Sequence, residues 1–252
     1  MLNDLNIHEL YSNGIIKFRL EKDIAHLKNE YLNEINNCLI SQQKNFRSLG
    51  GFIAGHLNFY ESKVTKKIYH ELINEELLIC IKKYLNTSFL NIRANSNLNF
   101  PNSSFQHWHF DGQYENNFLI LNIPIIPITN TNGPTQIYLK SHRNILNLRH
   151  FLKKYNKSMI TSLHINENEC VLRDSRLWHR GTTNKSDDVR PMLAIIFEKT
   201  NNCQDLLDIP DENLCFIYSN MYTSSFIGKV KEYLFVYLPI INYLNRIIFK
   251  SY

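Results

Sequence analysis

The spacing of apolar residues changes near residue 88, and that change restricts the fold more than any other feature of the chain. Before it, apolar side chains recur every three or four residues. Ile24, Leu27, Tyr31, Ile35 and Leu39 form a stripe over residues 21 to about 40, and Val64, Ile68, Leu72, Leu77, Ile81 and Leu85 form another over 63–85. Each stripe predicts an amphipathic helix, because that spacing returns side chains to one side of a 3.6-residue turn. Past Asn86-Thr87-Ser88 the period falls to two. Leu90, Ile92 and Ala94 alternate with polar neighbours over 89–95, as in a half-buried strand. A polar loop over 97–104 with Pro101 follows, then short strands over 105–110, 135–139, 169–173, 177–180 and 192–199. The run 118–128 is apolar but for Asn122 and is expected to be buried on both faces, with Pro124 and Pro127 setting its end at a bend or an edge. Thr131-Asn132-Gly133-Pro134 is a turn, and 144–156 a helical excursion. The pattern predicts a mainly β protein with helical additions, a sandwich or barrel packed by N-terminal helices.

At 252 residues the chain fits one domain: a helical segment 1–87, a β core over about 88–200 and a tail over 229–252. The formal charge of +5 is mild, and Lys and Arg are scattered along the sequence, so nucleic acid is not an expected partner. An anionic small molecule or a substrate at an anionic membrane fits that charge. The five cysteines are odd in number and form no CxxC pair, which points to a reducing cytoplasm without a disulfide framework or zinc knuckle. Residues 1–13 are too polar for a signal peptide. Arg19-Leu20 and His26-Leu27, five residues apart, fit a peroxisomal address, but Leu20, Ile24 and Leu27 equally fit the first helix. The stretch 233–249 is heavily apolar but interrupted by Pro239, Asn242, Asn245 and Arg246, so it is too short and polar for a span of roughly 20 residues. It is expected to pack on the body, form an oligomer contact, or lie at a membrane surface with Lys229, Lys231, Arg246 and Lys250 facing headgroups.

Phe105-Gln106-His107-Trp108-His109-Phe110-Asp111-Gly112 holds a His-x-Asp on a strand-like segment. Residues i and i+2 of a strand project to one side, so His109 and Asp111 can occupy adjacent positions on one metal. A second histidine from a distant strand would complete a two-His-one-carboxylate triad with open positions for cosubstrate and O2. His179 lies near the end of an apolar strand, and after a polar turn Arg190 opens the next. A guanidinium there can grip the distal carboxylate of a dicarboxylate whose other end chelates the metal.

Together these residues resemble the phytanoyl-CoA dioxygenase family of Fe(II)/2-oxoglutarate oxygenases. The resemblance rests on Trp108-His109-Phe110-Asp111, Asn132-Gly133-Pro134-Thr135, Ser141-His142-Arg143, His179, Asn184 and Arg190, in that order, and covers about residues 89–200. It implies a double-stranded β-helix, also called a jelly-roll or cupin-like fold. It implies Fe(II) on His109, Asp111 and His179, with 2-oxoglutarate as cosubstrate on Arg190 and O2 as oxidant. Succinate and CO2 would be released, and an unactivated C–H of a small-molecule, lipid-linked or glycan substrate hydroxylated. Related halogenases carry a small residue in place of the carboxylate ligand, so Asp111 implies hydroxylation. Two departures concern the surroundings. Leu139-Lys140 stand where the family has Pro-Gly, and Gly181 stands where it often has Ser, with Thr182 or Thr183 as substitute hydroxyls. For the inner carboxylate of 2-oxoglutarate the candidates are Asn97 and Thr129.

Around this set, His107, Tyr114 and Arg93 are candidate substrate contacts by strand alternation. Trp108 and Trp178 point to the opposite face and are expected in the core. His142 and Arg143 are expected to fix a loop, and Asp174 to form a turn. The main alternative is a catalytically silent jelly-roll that binds a ligand or a partner. Such a protein would be expected to have lost a triad residue or the arginine, and all four are present. A hydrolase on the same ligands would have no use for Arg190.

Overall fold

The computed structural model describes residues 4–41, 55–212, 214–216, 227, 230, 233–234 and 237–248. In chain order the elements are α1 (Asp4–Asn13), β1 (Ile15–Arg19), α2 (Ala25–Ser41), β2 (His56–Tyr60), α3 (Lys63–Leu72), α4 (Glu75–Leu85), β3 (Leu90–Asn99), β4 (Leu119–Pro124), β5 (Thr135–Tyr138), α5 (Leu148–Lys154), β6 (Ile160–Leu163), β7 (Glu169–Asp174), β8 (His179–Gly181), β9 (Arg190–Lys199), β10 (Leu206–Asp208), β11 (Cys215–Phe216) and α6 (Pro239–Ile248). The large sheet runs β1-β7-β4-β9-β3-β2-β11, with β10 parallel to β3. The small sheet is β6-β5-β8. The segment before β4 joins it through an antiparallel bridge between His109 and His179.

Strand alternation assigns the two faces of the large sheet to different tasks. Leu119, Leu121 and Ile123 of β4, Leu193, Ile195 and Phe197 of β9, and Cys170 and Leu172 of β7 pack with α1 to α4 in the main core. The intervening residues Ile120, Asn122, Arg173, Met192, Ala194 and Ile196 line a cavity between the sheets. A second cluster, including Ile128, Ile137, Ile165, Val171 and Leu177, closes one region between the sheets. The aromatics Trp108, Phe110, Phe151 and Trp178 form a third under α5 and α6, where Phe151 and Trp178 stack at 4.4 Å. Burying one such ring is worth roughly 1.5–3 kcal/mol. This is the expected jelly-roll packed by helices.

Several local expectations change. The helix over 63–85 is two helices, because the Asn74 side chain accepts the Leu77 amide and caps α4 at its start. The segment 1–87 is not wholly helical: β1 pairs with β7, and β2 with β3. Strand β3 continues through Asn99 where a polar loop was expected, because Asn95 and Asn97 face the cavity while Ser96 and Leu98 are buried on the other side. Leu27 is buried in the main core, so the peroxisomal-type match lies within folded elements. In the tail, Tyr243 and Ile247 pack on the third cluster. Lys229, Lys231 and Lys250 lie outside the described residues. Among the described residues no helix is long and apolar enough to cross a membrane.

Candidate active site

His109 and His179 are drawn together by main-chain pairing. The His109 amide donates to the His179 carbonyl at 3.0 Å, and the His179 amide returns the bond at 2.8 Å. Directly opposed residues of an antiparallel pair present side chains on one face, and here the ring centroids are 4.3 Å apart. Asp111 follows two residues on, its amide held by the Ser175 carbonyl. The ligand-type atoms of His109, Asp111 and His179 all lie within 4.8 Å of one another.

Each imidazole is oriented by its own strand. His109 Nδ1 meets the His107 carbonyl at 2.7 Å, and His179 Nδ1 meets the Leu177 carbonyl at 2.9 Å. A carbonyl can only accept, so Nδ1 carries the proton and Nε2 keeps a lone pair, the tautomer a metal requires. Burial, followed by the charge of Arg173, outweighs the attraction of Asp111 and pushes His179 down to about 3. Burial would raise the Asp111 carboxyl, but His179, Arg173 and His109 together hold it well below the usual carboxylate range. Two imidazoles that turn Nε2 toward one carboxylate form a donor set that fits a divalent iron.

Arg190, the first residue of β9, lines the same cavity of about 260 Å³. It is 3% exposed and donates to the Gly133 carbonyl at 3.1 Å, while its Nε has no hydrogen-bond partner. Burial alone pushes its guanidinium down to about 10, and among the described residues no carboxylate is paired to it. A buried cation left in that condition fits an incoming carboxylate.

Of the other expected contacts, Asn97 lines the cavity, its amide on Asn58 at 2.9 Å. Thr129 does not reach it. The residue is exposed on the 127–132 turn, with its hydroxyl on Thr131. Arg93 shares the sheet face of Asn95 and Asn97 but lies further along β3, in an ion pair with Glu198 and outside the cavity lining. Tyr114 packs against Phe110 and Arg176 beyond the ligand strand. His107 does not share the side of His109. Its segment pairs regularly only around His109, so alternation fails there, and the ring meets Tyr243 of α6. Thr182 gives its hydroxyl to the Pro134 carbonyl and is not available to the cavity. Trp108 and Trp178 are buried as expected. The Asp174 carboxylate accepts the Arg176 amide in a turn, and His142 is held on the Tyr11 carbonyl.

The unforeseen residue is Arg173. It is buried on β7, donates to Asp111 at 2.7 Å and to Asn122 at 3.0 Å, and lines the cavity. Its one trace in the sequence is a cation inside the apolar run of β7. Asn58, Asn95, Asn122 and Gln106 add amides to the same walls, together with Phe118 and Ile120.

Facing sheets with this site define a jelly-roll oxygenase of the Fe(II)- and 2-oxoglutarate-dependent class. The chain belongs to the phytanoyl-CoA dioxygenase family, whose profile matches residues 59–192. Fe(II), 2-oxoglutarate and O2 are accordingly its cofactor set. Among solved structures, EvdO2 from Micromonospora carbonacea var. aurantiaca, complexed with 2-oxoglutarate, aligns with a TM-score of 0.58 at 13% identity, over 79% of this chain and 92% of that one. HygX from Streptomyces hygroscopicus, with nickel, 2-oxoglutarate and hygromycin B bound, aligns with a TM-score of 0.61 at 9% identity, over 79% and 88%. The nickel complex of the non-heme monooxygenase ThoJ aligns with a TM-score of 0.57 at 13% identity, over 95% and 98%. At these identities the likeness concerns the fold. No curated protein sequence matches the chain at a significant level.

Proposed function

We propose that this oxygenase hydroxylates an unactivated C–H of a hydroxyl-rich small-molecule, lipid-linked or glycan substrate. In this reading His109, Asp111 and His179 hold Fe(II), and Arg190 holds the distal carboxylate of 2-oxoglutarate. The observation that carries it is Arg190, a buried guanidinium with no counter-ion among the described residues, on the same cavity as the three ligand-type side chains. In the overall reaction 2-oxoglutarate, O2 and R–H give succinate, CO2 and R–OH. Bound iron supplies the O2 activation; the protein supplies placement and a closed, polar site.

The backbone carbonyls hold both imidazoles in the metal-binding tautomer, and Arg173 fixes the carboxylate between them. In this reading Asn97, which lines the cavity, would lie near the inner carboxylate of the cosubstrate, its amide exchanging the Asn58 contact for it. The amides of Asn58, Asn95, Asn122 and Gln106 offer both donors and acceptors, which suits substrate hydroxyls, while Phe118 and Ile120 suit a carbon skeleton. Asp111 fills the position that a halogenase would leave open for chloride, which favours hydroxylation.

Anaerobic titration tests the assignment. The wild-type protein should take up one Fe(II) per chain and develop a metal-to-ligand absorption band with 2-oxoglutarate. His109→Ala, Asp111→Ala and His179→Ala should each abolish succinate release. Arg190→Ala should keep iron but weaken 2-oxoglutarate by about 1.5–3 kcal/mol for each charge-assisted hydrogen bond lost. Unchanged 2-oxoglutarate affinity in Arg190→Ala removes that residue from the site, and turnover by Asp111→Ala removes the triad.

A further inference from the structure

One stretch of the chain departs from the otherwise even spread of charge. Between Glu115 and Glu167 the chain has no acidic residue, yet it carries Lys140, Arg143, Arg149, Lys153, Lys154 and Lys157, more positive charge than the +5 of the whole protein. Arg149, Lys153, Lys154 and Lys157 are exposed on α5 and the turn that leaves it, and none makes an ion pair among the described residues. Beside them lie exposed Leu146 and Leu152.

Helix α6 packs against α5 through Tyr243 and Ile247, which join Leu148 and Phe151 in the aromatic cluster. That contact uses one edge of its apolar arc. Ile240, Ile241, Leu244 and Ile248 occupy the adjoining stripe and are exposed, Ile240 and Ile248 by 68% and 69%. The two helices are in contact, so an exposed aliphatic stripe on α6 neighbours exposed cations on α5.

We propose that this face docks on the anionic surface of a phospholipid bilayer. Charge complementarity selects the partner. Unpaired lysines and arginine attract anionic headgroups, and branched aliphatic side chains on an amphipathic helix enter the acyl boundary. A nucleic-acid backbone would satisfy the cations but leave Ile240, Ile241, Ile248 and Leu244 in water. Docking here would place the oxygenase beside membrane-embedded or lipid-linked material.

Co-sedimentation of the full chain with vesicles of phosphatidylcholine, with and without phosphatidylglycerol, tests this. Binding is expected only with phosphatidylglycerol and should fade as salt rises, since a Debye length of about 10 Å at 0.1 M shortens further. The double variant Lys153→Glu/Lys154→Glu should lower the bound fraction by about tenfold or more. Ile240→Ser/Leu244→Ser should lower it at high salt as well. Both variants should keep the wild-type melting temperature and 2-oxoglutarate titration. Three results overturn the proposal: no sedimentation with phosphatidylglycerol vesicles; retention of a duplex DNA in their place; or a doubled solution mass that the Ile240→Ser/Leu244→Ser protein loses, which would assign the face to a second copy of the chain.

Discussion

Arg173 sets a full positive charge against the single carboxylate of the candidate metal site, and a third side chain, Asn122, holds it there. Its Nη1 is buried and without a hydrogen-bond partner, so the residue is retained at a cost in desolvation that the Asp111 contact must offset. Its role is positioning: the carboxylate is kept at one angle to two imidazoles that are already fixed by the backbone. Arg173→Met should therefore weaken Fe(II) by about 10–100-fold, the loss typical of groups that orient metal ligands, while Arg173→Lys recovers part of it. Equal Fe(II) affinity and an unshifted 2-oxoglutarate absorption band in Arg173→Met would remove it from that role. The contrast with Arg190 explains what could be read in advance. His109, Asp111, His179 and Arg190 are legible because their chemistry is specific and their order along the chain is diagnostic. Arg173, Asn58, Asn95 and Asn122 are ordinary residue types, and their meaning depends on which sheet face bounds the cavity. Alternation could not place the other three at the cavity: Arg93 lies too far along β3, Tyr114 beyond the ligand strand, and His107 where regular pairing breaks.

The turn before β5 shows how an element can serve a site that it does not line with a side chain. Asn132 closes it, accepting the Thr129 amide and donating to the Pro127 carbonyl. Gly133 then turns through φ +78°, and its carbonyl receives Arg190. A Cβ at Gly133 would stand 2.1 Å from Asn99 Nδ2 and 2.9 Å from the Thr182 carbonyl. Both the positive φ and the close approach require glycine. Gly133→Ala should lower stability by about 1–3 kcal/mol and also weaken 2-oxoglutarate, since the Arg190 support moves with the turn. A loss of stability with unchanged 2-oxoglutarate affinity would show that the turn supports the fold alone. The turn itself was readable, because Asn-Gly-Pro has strong local preferences. The extension of β3 to Asn99 was not, because a strand whose one face is an amide-lined cavity loses its alternation of apolar and polar residues.

Across the whole molecule, the helical layer and the large sheet are joined by a buried carboxyl as well as by apolar packing. Glu61 accepts hydrogen bonds from Thr65 of α3, from Ser96 of β3 at 2.8 Å and from Tyr31 of α2. Burial pushes its carboxyl up from 4.5 to about 7, although the three hydroxyls pull it back, and Glu34 adds to the rise. Between these values the folded chain keeps a proton that the unfolded chain has released. Stability therefore falls as pH rises through that window and levels off above it, by an amount near 3 kcal/mol for one group, at roughly 1.36 kcal/mol per unit. Urea midpoints measured from pH 4.5 to 8 should show that fall in the wild type, and Glu61→Gln should not share it. Parallel curves for the two proteins would place the carboxyl outside the pH response. The two imidazoles of the active site carry a different consequence. Each is anchored by a carbonyl two residues earlier in its own segment, at His107 and at Leu177. Every amino acid has that carbonyl, so the orientation of the ligands is indifferent to what occupies either position. Changes at His107 or Leu177 would thus act through packing, against Tyr243 and within the second cluster, while the orientation offered to the metal stays the same.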